Sequence, residues 1–426
     1  MHNHCVTFLK MAVLSFGVAS SVAAGEVPDG TVLGAGNLTA LAQDTIAGHK
    51  VADLLTDSQR LLIMRYGLKM HLVRPQALVV SPDIIDCTNK YSGNVALDPN
   101  TKKVGGFVAG VAFPKIDDGD PDAALKLIWN QYFLAPALGD SQETSANVGF
   151  TVNADSGIDR SFQTRANKIR LDGRWSGGPA ALDDGTAHKI QVDVFVAPRD
   201  AAGLGVFQKS YNDGRPDSIW AYVKSARRIR RLSGGAWMDP VGNLDILNDD
   251  NWLLNAYPLW YKEYRYLGKR WILAVTHQPA IPGQDPGLRW DFKSPPHWNP
   301  KGLTVEPREV HVIEAIPPAE HPYSKKILYM ESDPYFPHFY LGEYYDKKQE
   351  LWRIANQGFG PLKMADGKPG FFTTFLLYVD VQRERATLVD INPDPRHYVL
   401  NRPNARPEDF KPELLKDAAE GKLATL

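Results

Sequence analysis

The stretch REVHVIEAIPPAEHPYSKKILYMESDPYFPHFYLGEYYDKKQELWRI, residues 308–354, decides the fold of this chain. Its apolar and polar residues alternate with a period of two, which sets successive side chains on opposite faces of an extended strand. Residues 309–315, 326–331, 339–345 and 351–354 read as strands rich in β-branched and aromatic residues. Asp333-Pro334 turns 325–331 back onto 335–346, and Asp346-Lys347-Lys348-Gln349 turns the chain again into 350–354. The product is a series of antiparallel hairpins.

The same period extends in both directions. Strands are expected at 148–152, 161–171, 189–196, 219–223, 228–232, 260–266 and 271–276, and again at 372–379 and 387–391, as one long antiparallel meander. Two long gaps, 233–257 and 278–307, hold tryptophans and have the length of functional covers or lids. Helices are expected from Asp57 to Tyr66, capped by Thr56 or Asp57 and stopped by Gly67, and from Asp122 to Phe133, between Pro121 and Pro136. Residues 408–421 read as a charged surface helix, and the Gly- and Ala-rich segment through Leu55 is expected to drape over the surface. Several strands are apolar on both faces: Trp220 and Tyr222 oppose Ile219, Ala221 and Val223, and 371–378 behaves likewise. Such a sheet must be covered on both sides. Periodicity alone leaves open whether one cover is an ordinary core or an enclosed ligand.

Composition agrees with a turn-rich β protein: 17 Tyr, 17 Phe and 10 Trp favour strands and large apolar contacts, while 31 Pro and 35 Gly supply turns. Lys+Arg at 48 and Asp+Glu at 49 nearly cancel, which argues against nucleic acid as a partner. At the N-terminus Lys10 precedes the apolar run MAVLSFGVASSV, residues 11–22, and small residues at 22–24 precede Gly25. That is the pattern of a Sec signal peptide cut near Ala24, and it places the mature chain in the periplasm. The run falls short of the roughly 20 apolar residues of a permanent span, and Cys5 precedes it, so it is no acylation site. The mature chain keeps only Cys87, excluding an internal disulfide. A membrane barrel is not expected: its strands need about 9–11 residues alternating lipid-facing with lumen-facing side chains, and the end of this chain, KLATL, lacks an aromatic strand.

Four segments carry a family resemblance: LTDSQRLLIMRYG (55–67), GVAFP (110–114) with the helix containing Trp129-Asn130, SIWAYVKSARRIRRLSGGAWMDPVGN (218–243), and the 308–354 stretch. Over residues 52–401 the chain resembles a large proteobacterial family of exported proteins of unknown function, related to the outer-membrane lipoprotein-sorting carriers of the LolA/LolB type. Ala112 departs from the proline that many members carry there. The resemblance implies a mainly β fold with a few helices: a large curved antiparallel sheet, a half-open barrel whose hydrophobic concave face is plugged by helices and loops. It implies one carrier domain over 25–426, with an N-terminal loop and helical part (25–147), the β meander (148–400) and a tail with a helix (401–426). It implies no catalytic residue and no cofactor, a hydrophobic small molecule or lipid as ligand, and an RND-type exporter with an outer-membrane protein as partners.

For the ligand, the expected lining is the aromatic set Trp220, Tyr222, Trp260, Tyr264, Tyr266 and Trp271, joined by Phe339 and Phe375. The loop 234–257, with Trp237 and Trp252, would close the mouth, and Arg228 or Arg230 would meet a headgroup. The alternative for Arg227, Arg228, Arg230 and Arg231 is a strand edge salt-bridged by Asp239, Asp245, Asp249 and Asp250. The histidines show no metal-ligand spacing, and the acidic run 245–250 lacks the glycine and terminal glutamate of an EF-hand. The function expected is a periplasmic carrier. The alternatives are a ligand-free assembly partner and a hydrolase using carboxylates such as Asp239 and Asp346.

Overall fold

Sixteen strands share one sheet among the residues described by the computed structural model, which are 25–423 without 135–138, 233–235, 242–243, 279–287 and 393. The expected signal segment, 1–24, lies outside them. In chain order the strands are β1 (Thr31–Leu33), β2 (Met70–Leu72), β3 (Ser141–Asn153), β4 (Gly157–Arg170), β5 (Ala187–Ala197), β6 (Gly205–Tyr211), β7 (Ser218–Val223) and β8 (Arg228–Arg231). Then follow β9 (Glu263–Ala274), β10 (Thr304–Ile316), β11 (Lys325–Glu331), β12 (Phe339–Tyr345), β13 (Leu351–Lys363), β14 (Pro369–Asp380), β15 (Arg385–Ile391) and β16 (Tyr398–Leu400). Four helices matter here: α1 (Asp57–Tyr66), α2 (Pro82–Tyr91), α3 (Ala123–Leu134) and α4 (Glu413–Ala419).

The expected single meander is in fact two, β3 to β8 and β10 to β15. They are laid side by side because β15 pairs antiparallel with β3, Leu388 opposite Phe150. β9 flanks β10, and β8 is the far edge, so the sheet stays open. Two further expectations are corrected. Residues 260–266 and 271–276 are not separate strands. Trp260 ends a 3-10 turn, Pro258–Trp260, and β9 runs unbroken through a bulge at Leu267-Gly268, where Gly268 takes the left-handed φ of +94°. The strands β6 and β16 and the helix α2 escaped notice, being short or weakly patterned.

Register sorts the side chains into two faces. The inner face carries Tyr264 and Tyr266 of β9, Lys326 and Leu328 of β11, Tyr344 of β12, Arg353 and Ala355 of β13 and Tyr378 of β14. It continues through Thr387 of β15, Gly149 of β3, Phe162 and Lys168 of β4 and Gln191 of β5. One short segment, Asp245 to Asn255, touches this face from β11 to β5. Those strands would span about 34 Å if laid flat at roughly 4.8 Å apiece. The segment is coiled, with a 3-10 turn at Asn248–Asp250, so the sheet bends around it.

The outer face is covered too. The N-terminal segment does not drape: Val27, Leu33, Ile46, Val51, Leu54 and Leu55 are buried with Val148, Phe150, Ile354 and Leu388 of the sheet. The helix α1 is fixed by the expected cap, Thr56 Oγ1 accepting from Gln59 N at 3.1 Å, and by Gly67 at φ +66°. Gln59 Nε2 then donates to Leu273 O of β9 at 2.7 Å, tying the helix to the sheet. Trp290 and Trp298, in the second long gap, are fully buried in the same outer core. The C-terminal helix is shorter than expected because Pro412 bounds it, and it covers the outer face of β5–β7 through Leu415 and Ala418.

Candidate functional site

Half of the inner face is filled. Leu247, Leu253, Leu254 and Ala256 pack with Ile313, Ala315, Leu328, Met330, Phe339 and Ala355. Within this plug lies a set of charges with no exposure. Lys326 Nζ lies 2.8 Å from Asp249 Oδ2 and 3.0 Å from Asp250 Oδ1, and it donates to the carbonyls of Asp249 and Leu253. Tyr261 and Tyr323 donate to Asp249 and Asp250 at 2.5 and 2.6 Å, and Arg353 donates to Tyr323 Oη. Burial pushes the Asp249 carboxyl up, yet the Lys326 ammonium and His321 overcome it and hold it at about 2. Every charge here is matched and none is open to a substrate. The set clamps the plug to the sheet.

The clamp also aims one side chain. Trp252 and Leu253 both adopt left-handed φ, +58° and +69°, a conformation costly for bulky residues. Leu253 O is held by Lys326 and by Tyr344 Oη at 3.2 Å, and the strained turn points Trp252 toward β4, where Lys168 Nζ sits 4.2 Å above its ring.

The other half of the inner face, over β3–β5, is a trough. Its mouth is a cleft of about 350 Å³ lined by Phe162, Phe195, Ala201, Leu204 and Leu244, with Arg160 and Arg385 at the rim. Gly149 makes the cleft possible: a Cβ there would lie 2.1 Å from the Phe162 ring, which rests on the bare backbone. The rim arginines are paired, Arg160 with Asp200 at 2.9 Å and Arg385 with Asp159 and Asp245 at 3.1 Å each. From Phe162 the inner positions of β4 are Thr164, Ala166, Lys168 and Arg170. Thr164 and Ala166 are half-buried, whereas Lys168 and Arg170 are buried. The blind end is closed by Trp252 and by Arg170, whose guanidinium donates to Leu134 O at the end of α3. Burial lowers the Lys168 ammonium to about 8 and that of Lys189, which donates to Asn255, to about 7.

The family described as "Protein of unknown function (DUF1329)" matches residues 46–416. The chain belongs to this DUF1329 family. A comparison with curated proteins finds no match. Among solved structures, a domain assigned to outer-membrane lipoprotein sorting from Vibrio parahaemolyticus is 16% identical, covering 70% of this chain and 100% of that one at a TM-score of 0.47. A DUF1329 family protein from Desulfovibrio piger is also 16% identical, covering 68% and 96% at 0.45. A LolA superfamily protein from Nitrosomonas europaea is 13% identical, covering 68% and 97% at 0.37.

The DUF1329 structure disperses the aromatic set expected to line one concave face. Trp220 and Tyr222 lie on the outer face beneath α4, with Trp220 5.2 Å from Phe207. Phe375 is also outer, 5.7 Å from Trp290. Trp271, at the end of β9 beyond the bulge, stacks on His49 at 3.9 Å. Tyr264, Tyr266 and Phe339 do face inward, with Phe339 fully packed in the plug core. Tyr264 donates to Pro258 O, and Tyr266 meets Asp118 and His311. Trp260 donates to Gly214 O and packs against the aromatic nest of α3, which includes Trp129, Tyr132 and Phe133.

The first long gap of this DUF1329 chain is a plug instead of a lid: Trp252 is buried and Trp237 half-buried against Tyr261 and His321, while 233–235 and 242–243 lie outside the described residues. Arg228 and Arg230 are exposed on the edge strand β8, on the face opposite Trp220 and Tyr222. The nearby aspartates do not pair with them; Asp245 holds Arg383 and Arg385, and Asp249 and Asp250 hold Lys326. Asp346 is half-buried and accepts from the backbone of Lys348 and Glu350 in its turn, and Asp239 is exposed elsewhere. Sequence reasoning missed Lys168, Gln142 and Gln191. The only signal was polar residues at inner positions of strands, a pattern that also fits a solvated face.

Proposed function

We propose that this protein is a periplasmic carrier that holds a hydrophobic ligand in the trough over β3–β5, and that it binds rather than catalyses. One observation supports the reading above others: on a sheet covered on both faces, the inner positions Thr164 and Ala166 between Phe162 and Lys168 are only half-buried, and an apolar cleft of about 350 Å³ lies at the Phe162 end. That volume falls in the range of small-molecule pockets. Burying an acyl chain there contributes about 0.8 kcal/mol per methylene removed from water. The carrier resemblance of the four motifs points the same way. On this reading residues 1–24 are removed as a signal peptide on export, and the partners are an RND-type exporter and an outer-membrane protein. Among the described residues no helix is long and apolar enough to cross a membrane.

Native mass spectrometry after a lipid-retaining purification tests the reading, with N-terminal sequencing of the exported protein. A bound hydrophobic mass is expected in the wild type and not in Thr164→Trp, which fills the trough at a half-buried position. An empty wild type that also fails to take up palmitate or hexadecanol would overturn it.

A further inference from the structure

The carrier reading leaves the ligand's polar end unassigned, and the blind end of the trough addresses it. Lys168 is 5% exposed, and among the described residues its ammonium has no hydrogen bond and no ion pair, only the Trp252 ring. Buried lysines are ordinarily paired, because an unmatched ammonium out of water is costly. Lys326, on the same face, has the expected matched carboxylates. Lys168 therefore stands as a donor without an acceptor.

Its neighbours also hold unpartnered polar atoms, though of the accepting kind. Register places Gln142 of β3 and Gln191 of β5 on either side of Lys168. Both are 1% exposed, and each side-chain carbonyl lacks a partner, as does Asn147 Oδ1 two inner positions nearer the mouth. The Gln142 amide nitrogen makes no hydrogen bond among the described residues, so a half-turn of that amide offers an N–H beside the ammonium. The other charges facing this end are Asp193, held by Gln191 Nε2, and Lys189 and Arg170 one inner position deeper. Lys189 donates to Asn255 and Arg170 caps α3, so both are engaged. Lys168 and the Phe162 ring are six residues apart on one strand, about 20 Å at roughly 3.3 Å per residue. That is the reach of a single extended chain with its head at one end.

We propose that Lys168, with the amide of Gln142 beside it, is an anion site that takes the carboxylate or phosphate headgroup of a single-chain amphiphile whose tail runs out to Phe162 and Phe195. The inference rests on the carrier reading. The amphiphile enters head first, and the paired rim arginines leave its tail in the apolar cleft. Without the ligand Lys168 is a liability, so an uncharged residue there stabilises the empty protein while it weakens binding.

The test uses the full mature chain and three probes with the same tail: palmitate, a palmitoyl lysophosphatidylglycerol and hexadecanol. The wild type is expected to bind at least one anionic probe about tenfold or more tighter than hexadecanol, as a charge-assisted hydrogen bond in a dry site allows; which anion wins distinguishes carboxylate from phosphate. Lys168→Met removes that preference by weakening the anionic probes about tenfold more than hexadecanol, and it melts no lower than wild type. Lys168→Arg restores the preference, and Asp193→Asn strengthens it. Burial lowers the Lys168 ammonium to about 8, and the titration midpoint of its ¹³Cε resonance is expected to move to higher pH with the anionic probe bound. Equal binding of all three probes by wild type and Lys168→Met overturns the anion site while leaving the carrier reading intact. Binding of inorganic phosphate alone, with no gain from a tail, overturns it as well. Failure of every probe, hexadecanol included, overturns the carrier reading itself.

Discussion

The two halves of the inner face are built from the same kind of strand and treat buried charge in opposite ways. Over β11–β14, Lys326 and Arg353 meet Asp249, Asp250, Tyr323 and Asp380, and apolar residues of the plug fill the space between. Over β3–β5, Lys168 meets an aromatic ring beside side-chain amides whose carbonyl oxygens lack a partner, and half-buried residues mark where the plug stops. A closed network stabilises only as a whole, whereas unmatched donors stay buried only where something else benefits from them. One half is therefore structural, and the other is where a ligand is to be sought.

The largest effect that sharpens this contrast belongs to the clamp. Lys326→Met strands two carboxylates without exposure, and a loss of about 3–5 kcal/mol is expected from denaturant unfolding. A loss under about 1 kcal/mol would mean that the plug is held by its apolar contacts alone. Next comes a pair of rings. Phe339→Ala in the filled half should cost about 3–5 kcal/mol, while Phe195→Ala at the half-buried cleft should cost distinctly less and lower ligand uptake. Equal costs would erase the distinction between core and trough.

A smaller effect concerns pH. Burial depresses Lys168 to about 8 and Lys189 to about 7, below the roughly 10.4 of an unfolded lysine. Between those values the unfolded chain binds more protons, so these two groups make stability rise with pH from about 7 to 10. Asp193 and Asp217 act on them in the opposite sense, and Arg170 stays charged below about 10. The difference in stability between wild type and the Lys168→Met, Lys189→Met double variant should therefore shrink as pH rises through that window. A difference that does not change with pH would return both lysines to ordinary behaviour. The smallest effect is at the edge: Arg230→Ala is expected to change stability by no more than about 0.5 kcal/mol, since Arg230 is exposed on the edge strand β8.

Much of the fold was legible in the chain. The helix over Asp57–Tyr66 matches residue for residue, because Thr56, Gln59 and Gly67 fix its ends by local hydrogen bonds and backbone freedom. The strands over Lys325–Glu331 and Phe339–Tyr345 match to within a residue, because their alternation and turns are local too. Apolar residues on both faces announced a sheet covered twice, and it is. The ligand set was far less legible. A spacing of two says that Trp220 and Tyr222 share a face; it does not say which face, and α4, nearly 200 residues away, claims it.

What the sequence by itself determined, then, is everything governed by neighbours along the chain: the strand period, the capped helix, the turns and the need for two covers. Only the tertiary structure decided which face bends inward, that 245–255 coils into a plug instead of closing a mouth, and that Lys326 is matched while Lys168 is not. The reason is physical. A side chain's face is set by its own strand, but whether that face ends in solvent, core or cavity depends on segments brought in from elsewhere. A buried lysine carries no mark in the sequence of the carboxylate it meets or lacks.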